Sequence, residues 1–263
     1  VLEEIYREYD CPKMKCDIKA AELIKYAANS LLATKISFAN EFSRICEKFN
    51  IDVYEVMKGV GLDFRISPKF LDAGCGFGGS CFPKDVNAIV ALARSIEVET
   101  PLLDAVLLTN EMQPSHFIEI IEGATGNLAG KVVAVLGLAF KPNTGDIRET
   151  RALPIIQLLY EKGARVKAYD PKAIDNFKRI TNLPIEYYEH WKDALKDSDF
   201  VVIQSDWNEI KNISPLYFKN LMKKPIIIDG RRTYDPNVMI EQGIDYYGIG
   251  WKNLSPTRVT QNS

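Results

Sequence analysis

Between Ile18 and Phe49 the chain has neither glycine nor proline. Those two residues are the ordinary helix breakers. Their absence over so long a stretch, rich in Ala, Leu, Lys and Glu, predicts one uninterrupted helix. At ~1.5 Å per residue it makes a rod of roughly 45 Å, and Asp17 is placed to cap its first turn. Apolar residues fall on more than one side of it, among them Leu23, Ile24, Leu31, Leu32, Phe38 and Ile45. A helix apolar nearly all round is buried, so this one is expected to pack against its own chain and against a partner's copy. Further helices are expected at about 52–60, 84–96 and 101–122.

Ala124 to Gly130 reads as a small-residue linker, and the pattern changes after it. Lys131 to Gly137 is a compact β-run, followed by a helix from about Glu149 to Lys162 that Gly163 closes. More β-runs follow at 166–169, 200–204, 225–229 and near 246–249. Strands alternating with helices specify a parallel, doubly wound sheet. The fold class expected is therefore α + α/β: an all-helical domain over 12–125, then a Rossmann-like parallel-sheet domain over 126–253 and a flexible tail at 254–263. The turn after the first β-run, Gly137-Leu138-Ala139-Phe140-Lys141-Pro142, is not Gly-x-Gly-x-x-Gly. It gives no support for cradling a dinucleotide pyrophosphate.

Hydrophobic residues make up 46% of the 263 positions and charged ones 26%, which is ordinary for a soluble globular protein. A net charge of −2 gives no reason to expect nucleic acid or an anionic membrane as partner. No run reaches the ~18 apolar residues of a membrane span. Five cysteines without metal-type pairing point to a reducing cytoplasm and no metal site; Cys11 and Cys16 lack a second ligand pair.

The chemistry is expected in Gly74-Cys75-Gly76-Phe77-Gly78-Gly79-Ser80-Cys81-Phe82-Pro83-Lys84-Asp85. Clustered glycines mean sharp turning or close approach of backbone to a ligand. Pro83 suits the first turn of a helix, where its missing N–H would have no partner. Cys81 then sits where a helix N-terminus favours thiolate. The stretch reads either as a loop presenting Cys81 to a substrate or as a tight turn with an inert thiol. Lys84 and Asp85 beside the thiol favour the first.

This stretch resembles the motif of the nucleotide-sugar 6-dehydrogenases, the UDP-glucose dehydrogenase family, where Gly-Phe-Gly-Gly-Ser-Cys-Phe-x-Lys-Asp holds the catalytic nucleophile. Ala21-Glu22-Leu23-Ile24-Lys25-Tyr26-Ala27-Ala28-Asn29 is similar to the family's Ala-Glu-Leu-x-Lys-x-x-Ala-Asn. The resemblance implies that Cys81 is the nucleophile and that Lys25 and Asn29 steady the oxyanion at C6. It gives Asp85 a part in catalysis, a role compatible with the plain one of first-turn helix capping. Lys25 and Asn29 lie four apart on one helix face. By themselves they read more readily as a solvated strip than as groups lining a site.

The resemblance further implies that Arg65 reaches the sugar in the neighbouring active site of a homodimer built on the helix 18–49. Phe70, Gly76, Phe77 and Gly78 belong to the loop around the nucleotide sugar. Phe140, Lys141 and Arg231, after two β-runs, meet the UDP pyrophosphate, as ligands of open α/β sheets do. Lys84 and Arg148 approach NAD, Arg148 within Thr144-Gly145-Asp146-Ile147-Arg148-Glu149, and Trp207 is placed at the rim. Cys75 stands where the family usually has proline or a small apolar residue, and an inert thiol is expected there.

The family's NAD-binding fold is an N-terminal domain. Residues 1–11 read as its trailing end, so the cofactor site is expected mostly outside this chain, on a separate domain. The implied reaction takes UDP-glucose, two NAD⁺ and water to UDP-glucuronate, through a thiohemiacetal and a thioester on Cys81. GDP-mannose and UDP-N-acetylmannosamine dehydrogenases share the cysteine. A non-catalytic UDP-sugar-binding or dimerisation module is the remaining alternative.

Overall fold

The long Gly- and Pro-free run forms one helix, α2 (Ile18–Phe49), in the computed structural model, which describes residues 1–251. The expected tail at 254–263 lies outside the described residues. Asp17 caps α2 by accepting from Lys19 N at 2.8 Å, and Asn50 closes it in the left-handed conformation, φ 57°. A short helix α1 (Leu2–Ile5) precedes it, with every residue exposed. Helices α3 (Val53–Gly61), α4 (Phe82–Ser95) and α5 (Pro101–Thr125) complete the helical part. α5 outruns its expected end at 122, because the chain first turns away at Gly126, φ 75°.

The inward face of α2 differs from the expectation. Asn29, Ser30, Ala33, Ser37, Asn40 and Ser43 are buried, whereas Ile24, Leu31, Phe38 and Ile45 are 49, 63, 43 and 46% exposed. Small side chains let α4 and α5 approach the α2 backbone closely, and Ser37 Oγ donates to Val106 O at 3.1 Å. The large apolar residues are left on the outside at intervals of seven.

Beyond α5, six parallel strands form one sheet in the order β3-β2-β1-β4-β5-β6. The strands are β1 (Val132–Leu136), β2 (Arg165–Tyr169), β3 (Glu186–Tyr187), β4 (Phe200–Ile203), β5 (Ile226–Asp229) and β6 (Asp245–Gly248). Helix α6 (Ala152–Glu161) links β1 to β2. The shorter helices are α7 (Ile174–Lys178), α8 (Trp191–Leu195), α9 (Asn208–Lys211), α10 (Pro215–Leu221) and α11 (Pro236–Glu241). β4 and β5 are buried end to end, which requires apolar side chains on both faces and explains their unbroken Val/Ile runs. The strand order reverses between β1 and β4, so their carboxyl ends form the crevice where such sheets take ligands.

The helical part and the sheet share a core. Phe117, Ile118 and Ile121 of α5 pack in one cluster with Val133, Ile155 and Ile228. A polar latch reinforces the joint: Arg232 binds both oxygens of Asp52, at 3.0 and 2.7 Å, and its guanidinium lies over Tyr54 and Trp251. Val53 N donates to Gly250 O at 2.8 Å beside it. Among the described residues no helix is long and apolar enough to cross a membrane.

Candidate active site

The glycine-rich loop is wedged between the helices and the carboxyl end of the sheet. On the sheet side, Cys75 N donates to Gly230 O at 3.2 Å, Gly79 N to Arg148 O at 2.9 Å and Arg151 Nε to Phe77 O at 3.0 Å. On the helix side, buried amide side chains hold its backbone. Asn40 accepts from Gly74 N at 2.8 Å and Gln113 donates to Gly74 O at 2.7 Å. Asn110 takes both polar groups of Phe77, at 2.7 and 3.1 Å. Buried backbone groups need such partners.

Two glycines are obligatory for contact. A Cβ on Gly78 would overlap the Glu149 carbonyl, and one on Gly79, at φ 81°, would come within 2.6 Å of the Phe140 ring. The loop thus touches the segment that the sequence assigned to the sugar nucleotide. Phe70 lies edge-on to Phe82, and Phe82 to Phe77, each at 6.0 Å between centroids.

Cys81 emerges from this loop exposed and as the N-cap of α4, with no side-chain capping bond. Pro83 sits in the first turn, as expected. One turn on, Asp85 N donates to Cys81 O at 2.9 Å, and the Asp85 carboxylate is 3% exposed. It receives Lys84 Nζ and Asn29 Nδ2, each at 2.5 Å, and lies 3.7 Å from Lys25 Nζ. The bond from Lys84, more than that from Asn29, holds the Asp85 carboxyl below the usual carboxylate range. Lys84 and Arg148 are within Coulombic reach of Cys81. α2 thus brings both Lys25 and Asn29 to Asp85 in the first turn of α4: Asn29 is buried there, whereas the Lys25 side chain stays 62% exposed.

Cys75 is chemically unlike Cys81. It is fully buried, Gln204 Nε2 lies 3.5 Å from its sulfur, and burial pushes its thiol up to about 12. That is the inert thiol expected.

At the sheet end, Arg231 donates from Nε to Gln204 O at 3.0 Å and reaches toward Phe140 O at 3.5 Å. Lys141 is exposed, with Nζ 5.3 Å from the Phe140 ring centre. Phe140, Lys141 and Arg231 are thus brought together from the ends of two strands. Asp229 holds the Arg231 turn by accepting from Arg231 N at 2.9 Å, Thr233 N at 2.7 Å and Tyr246 OH at 2.9 Å. Burial pushes its carboxyl upward all the same.

Other expected residues are engaged with partners of their own. Arg65 is exposed and closes on Asp63 at 2.6 Å. Arg148 closes on Asp146 at 2.6 Å. Arg232 is committed to Asp52 and leaves Arg231 as the member of its pair at the crevice. Trp207 is an interior residue rather than a rim one, 5% exposed. Among the described residues no His, Cys, Asp and Glu cluster could hold a metal ion. The residues around the β1 turn do not fit a dinucleotide either. No helix opens there, since α6 begins only at Ala152, and the Leu138 and Ala139 N–H groups of the turn already donate to Asp170.

Sequence reasoning missed Asn40, Asn110, Gln113 and Arg151. The signal was available: Asn110 and Gln113, on the same face of α5 as Val106 and Phe117, mark an inward face that must meet polar groups.

Residues 19–112 match the central domain of the UDP-glucose/GDP-mannose dehydrogenase family, and residues 134–236 match that family's UDP binding domain. The UDP-glucose 6-dehydrogenase TuaD of Bacillus subtilis is 46% identical over 95% of this chain and 54% of its own length. AglM of Haloferax volcanii, also a UDP-glucose 6-dehydrogenase, is 44% identical over 90% of this chain and 54% of its own. The solved UDP-glucose dehydrogenase of Pyrobaculum islandicum superposes with a TM-score of 0.85 at 37% identity, covering 95% of this chain and 55% of that one. The chain spans about half the length of the relatives it matches. Both the helical part that presents Cys81 and the sheet that presents Arg231 are accounted for in this way, and the chain belongs to the UDP-glucose/GDP-mannose dehydrogenase family.

Proposed function

We propose that this chain is the substrate-holding and thiol-bearing part of a UDP-glucose 6-dehydrogenase. The observation that carries the reading is Cys81, exposed at the head of α4, with Asp85 one turn along that helix gathering Asn29, Lys25 and Lys84. UDP lies across the crevice, its pyrophosphate met by Arg231 and Lys141 and Phe140 at its side. Charge-assisted contacts to phosphate of this kind are strong. The glucose end then points along Gly76, Phe77 and Gly78 toward Cys81, under Phe70.

With C6 at the aldehyde level, the Cys81 thiolate adds to the carbonyl carbon and forms a C–S bond. The negative charge moves to the carbonyl oxygen, where Lys25 and Asn29 donate to it. Preorganised donors aimed at a developing oxyanion are commonly the largest catalytic contribution. After oxidation to the thioester, water adds to the same carbon and the thiolate leaves, giving the carboxylate. Asp85, kept ionised by Lys84, holds both donors in place and receives a proton from that water or relays it. The oxidant is NAD, bound by a domain outside the residues described; Lys84 and Arg148 face it from this side. No redox step is carried by these residues alone.

The active form is a homodimer. Ile24, Leu31, Phe38 and Ile45 repeat every seven residues on the exposed face of α2, the spacing that sets one helix against another. A two-fold axis there lets Arg65 of each chain approach the other's site.

The test is to add a separately produced NAD-binding domain and follow NADH with UDP-glucose. NADH formation that Cys81→Ala abolishes is expected. NADH from this chain alone at about 1 s⁻¹ or more would refute the need for that domain. Calorimetry is expected to detect UDP with the chain alone and to find it weakened in Lys141→Ala.

A further inference from the structure

Asp170, at the carboxyl end of β2, makes a set of contacts that the proposed function does not use. It is 3% exposed. One oxygen accepts from Leu138 N at 2.7 Å, Ala139 N at 3.0 Å and Trp207 Nε1 at 3.3 Å. The other accepts from Lys172 N and Ala173 N, both at 2.8 Å. Five N–H donors from three segments thus converge on one carboxylate.

The place matters as much as the number. Leu138 and Ala139 form the turn directly after β1, next to the point where the strand order reverses. In dinucleotide-binding sheets the N–H groups of that turn take the pyrophosphate, and an acid at the end of the next strand turns outward to a ribose. Here the acid at the end of β2 turns inward, onto the turn itself. Trp207, from the loop after β4, covers it from the other side of the crevice and is itself buried.

We propose that Asp170 is a specificity-determining residue, its carboxylate standing on the β1 turn where a nucleotide pyrophosphate would otherwise bind, so that this sheet refuses a dinucleotide there. Phosphate groups are left to the β4–β5 side, where Arg231 and Lys141 stand. The refusal rests on the Asp170 geometry; only the routing toward Arg231 rests on the function proposed above. A buried negative charge repels a second anion and has already satisfied the donors that would bind it.

Inorganic pyrophosphate is the probe. In the ¹⁵N-labelled wild-type chain the amide signals of Leu138 and Ala139 stay fixed during the titration, whatever happens at Arg231. In Asp170→Ala the two N–H groups are freed. The variant melts lower, and pyrophosphate raises its melting temperature saturably by about 3 °C or more beyond any rise in the wild type. The same comparison in an Arg231→Ala background gives the same difference, which separates this site from the proposed UDP site. Saturable movement of the Leu138 and Ala139 signals in the wild type would overturn the proposal. So would an Asp170→Ala chain, folded or unfolded, that pyrophosphate stabilises no more than the wild type.

Discussion

Asn29 on α2 donates its side-chain amide to the Asp85 carboxylate on α4 at 2.5 Å, across 56 positions of sequence. The bond ties the middle of the candidate site to the head of the helix that carries Cys81. It also fixes which way Asn29 points, since its nitrogen is committed to Asp85 and a substrate oxygen must share that donor or take the Lys25 ammonium. Asp85 is thus the organiser of the cluster, holding two lysines and an amide.

Acid titration should expose this arrangement. The Asp85 carboxyl is held below its ordinary 3.8, chiefly by Lys84. A depressed carboxyl contributes stability that is fully present above the unfolded value and is lost as pH falls through the folded one. Asp85→Asn should lower stability at neutral pH and flatten the acid limb below about pH 4 in urea melts. An acid limb as steep as that of the wild type would contradict the assignment.

Gly79→Ala places a methyl at φ 81° and within 2.6 Å of the Phe140 ring. Strain and overpacking together should cost about 1–3 kcal/mol, read as a lower melting temperature. Because the same ring borders the proposed UDP site, UDP affinity should fall as well. A variant as stable as the wild type would show that the loop does not pack on Phe140 in solution.

The latch between Asp52 and Arg232 joins two side chains only 11 and 12% exposed. Removing one partner strands the other charge, so Asp52→Ala should cost about 3 kcal/mol. Arg232→Ala also loses the stacking on Tyr54 and Trp251. The double variant should cost clearly less than the sum of the single ones, as expected for groups in direct contact. Additive losses would deny the pairing.

The exposed stripe on α2 predicts the assembly. Light scattering of the wild type at micromolar concentration should give about twice the chain mass of 29.7 kDa, and Phe38→Arg should give a single chain with intact helicity. Leu32 and Ile36 on the same helix are half-buried, and Ile36 packs against its own chain's cluster, so charges there would disturb folding as well as assembly. Phe38, 43% exposed, separates assembly from folding. A wild-type mass near 29.7 kDa would remove the basis for a shared site.

Long elements were legible in the sequence because their signals are repetitive. The absence of breakers from Ile18 to Phe49 and the apolar runs of β1, β4 and β5 gave bounds within a residue or two. Strand β3 was not, since two residues carry no periodicity. The candidate site divides in the same way. Cys81, Asp85, Lys25 and Asn29 lie in dense local motifs and are found together in the structure. The roles of Arg232, Trp207 and Asp170 depend on partners 180, 37 and up to 37 positions away, respectively, and no local pattern announces those. The inward face of α2 misled for a related reason, since helix packing at close range selects small residues over apolar ones.

The central claim is that Cys81 stands at the reactive end of a bound UDP-sugar, and protection from alkylation tests it most directly. Iodoacetamide should label Cys81 and the exposed Cys11 in the folded chain, while the buried Cys46 and Cys75 stay unlabelled. UDP-glucose should slow labelling of Cys81 saturably, UDP should slow it less, and neither should change the rate at Cys11. Labelling of Cys81 that proceeds equally fast with and without millimolar UDP-glucose would contradict the account.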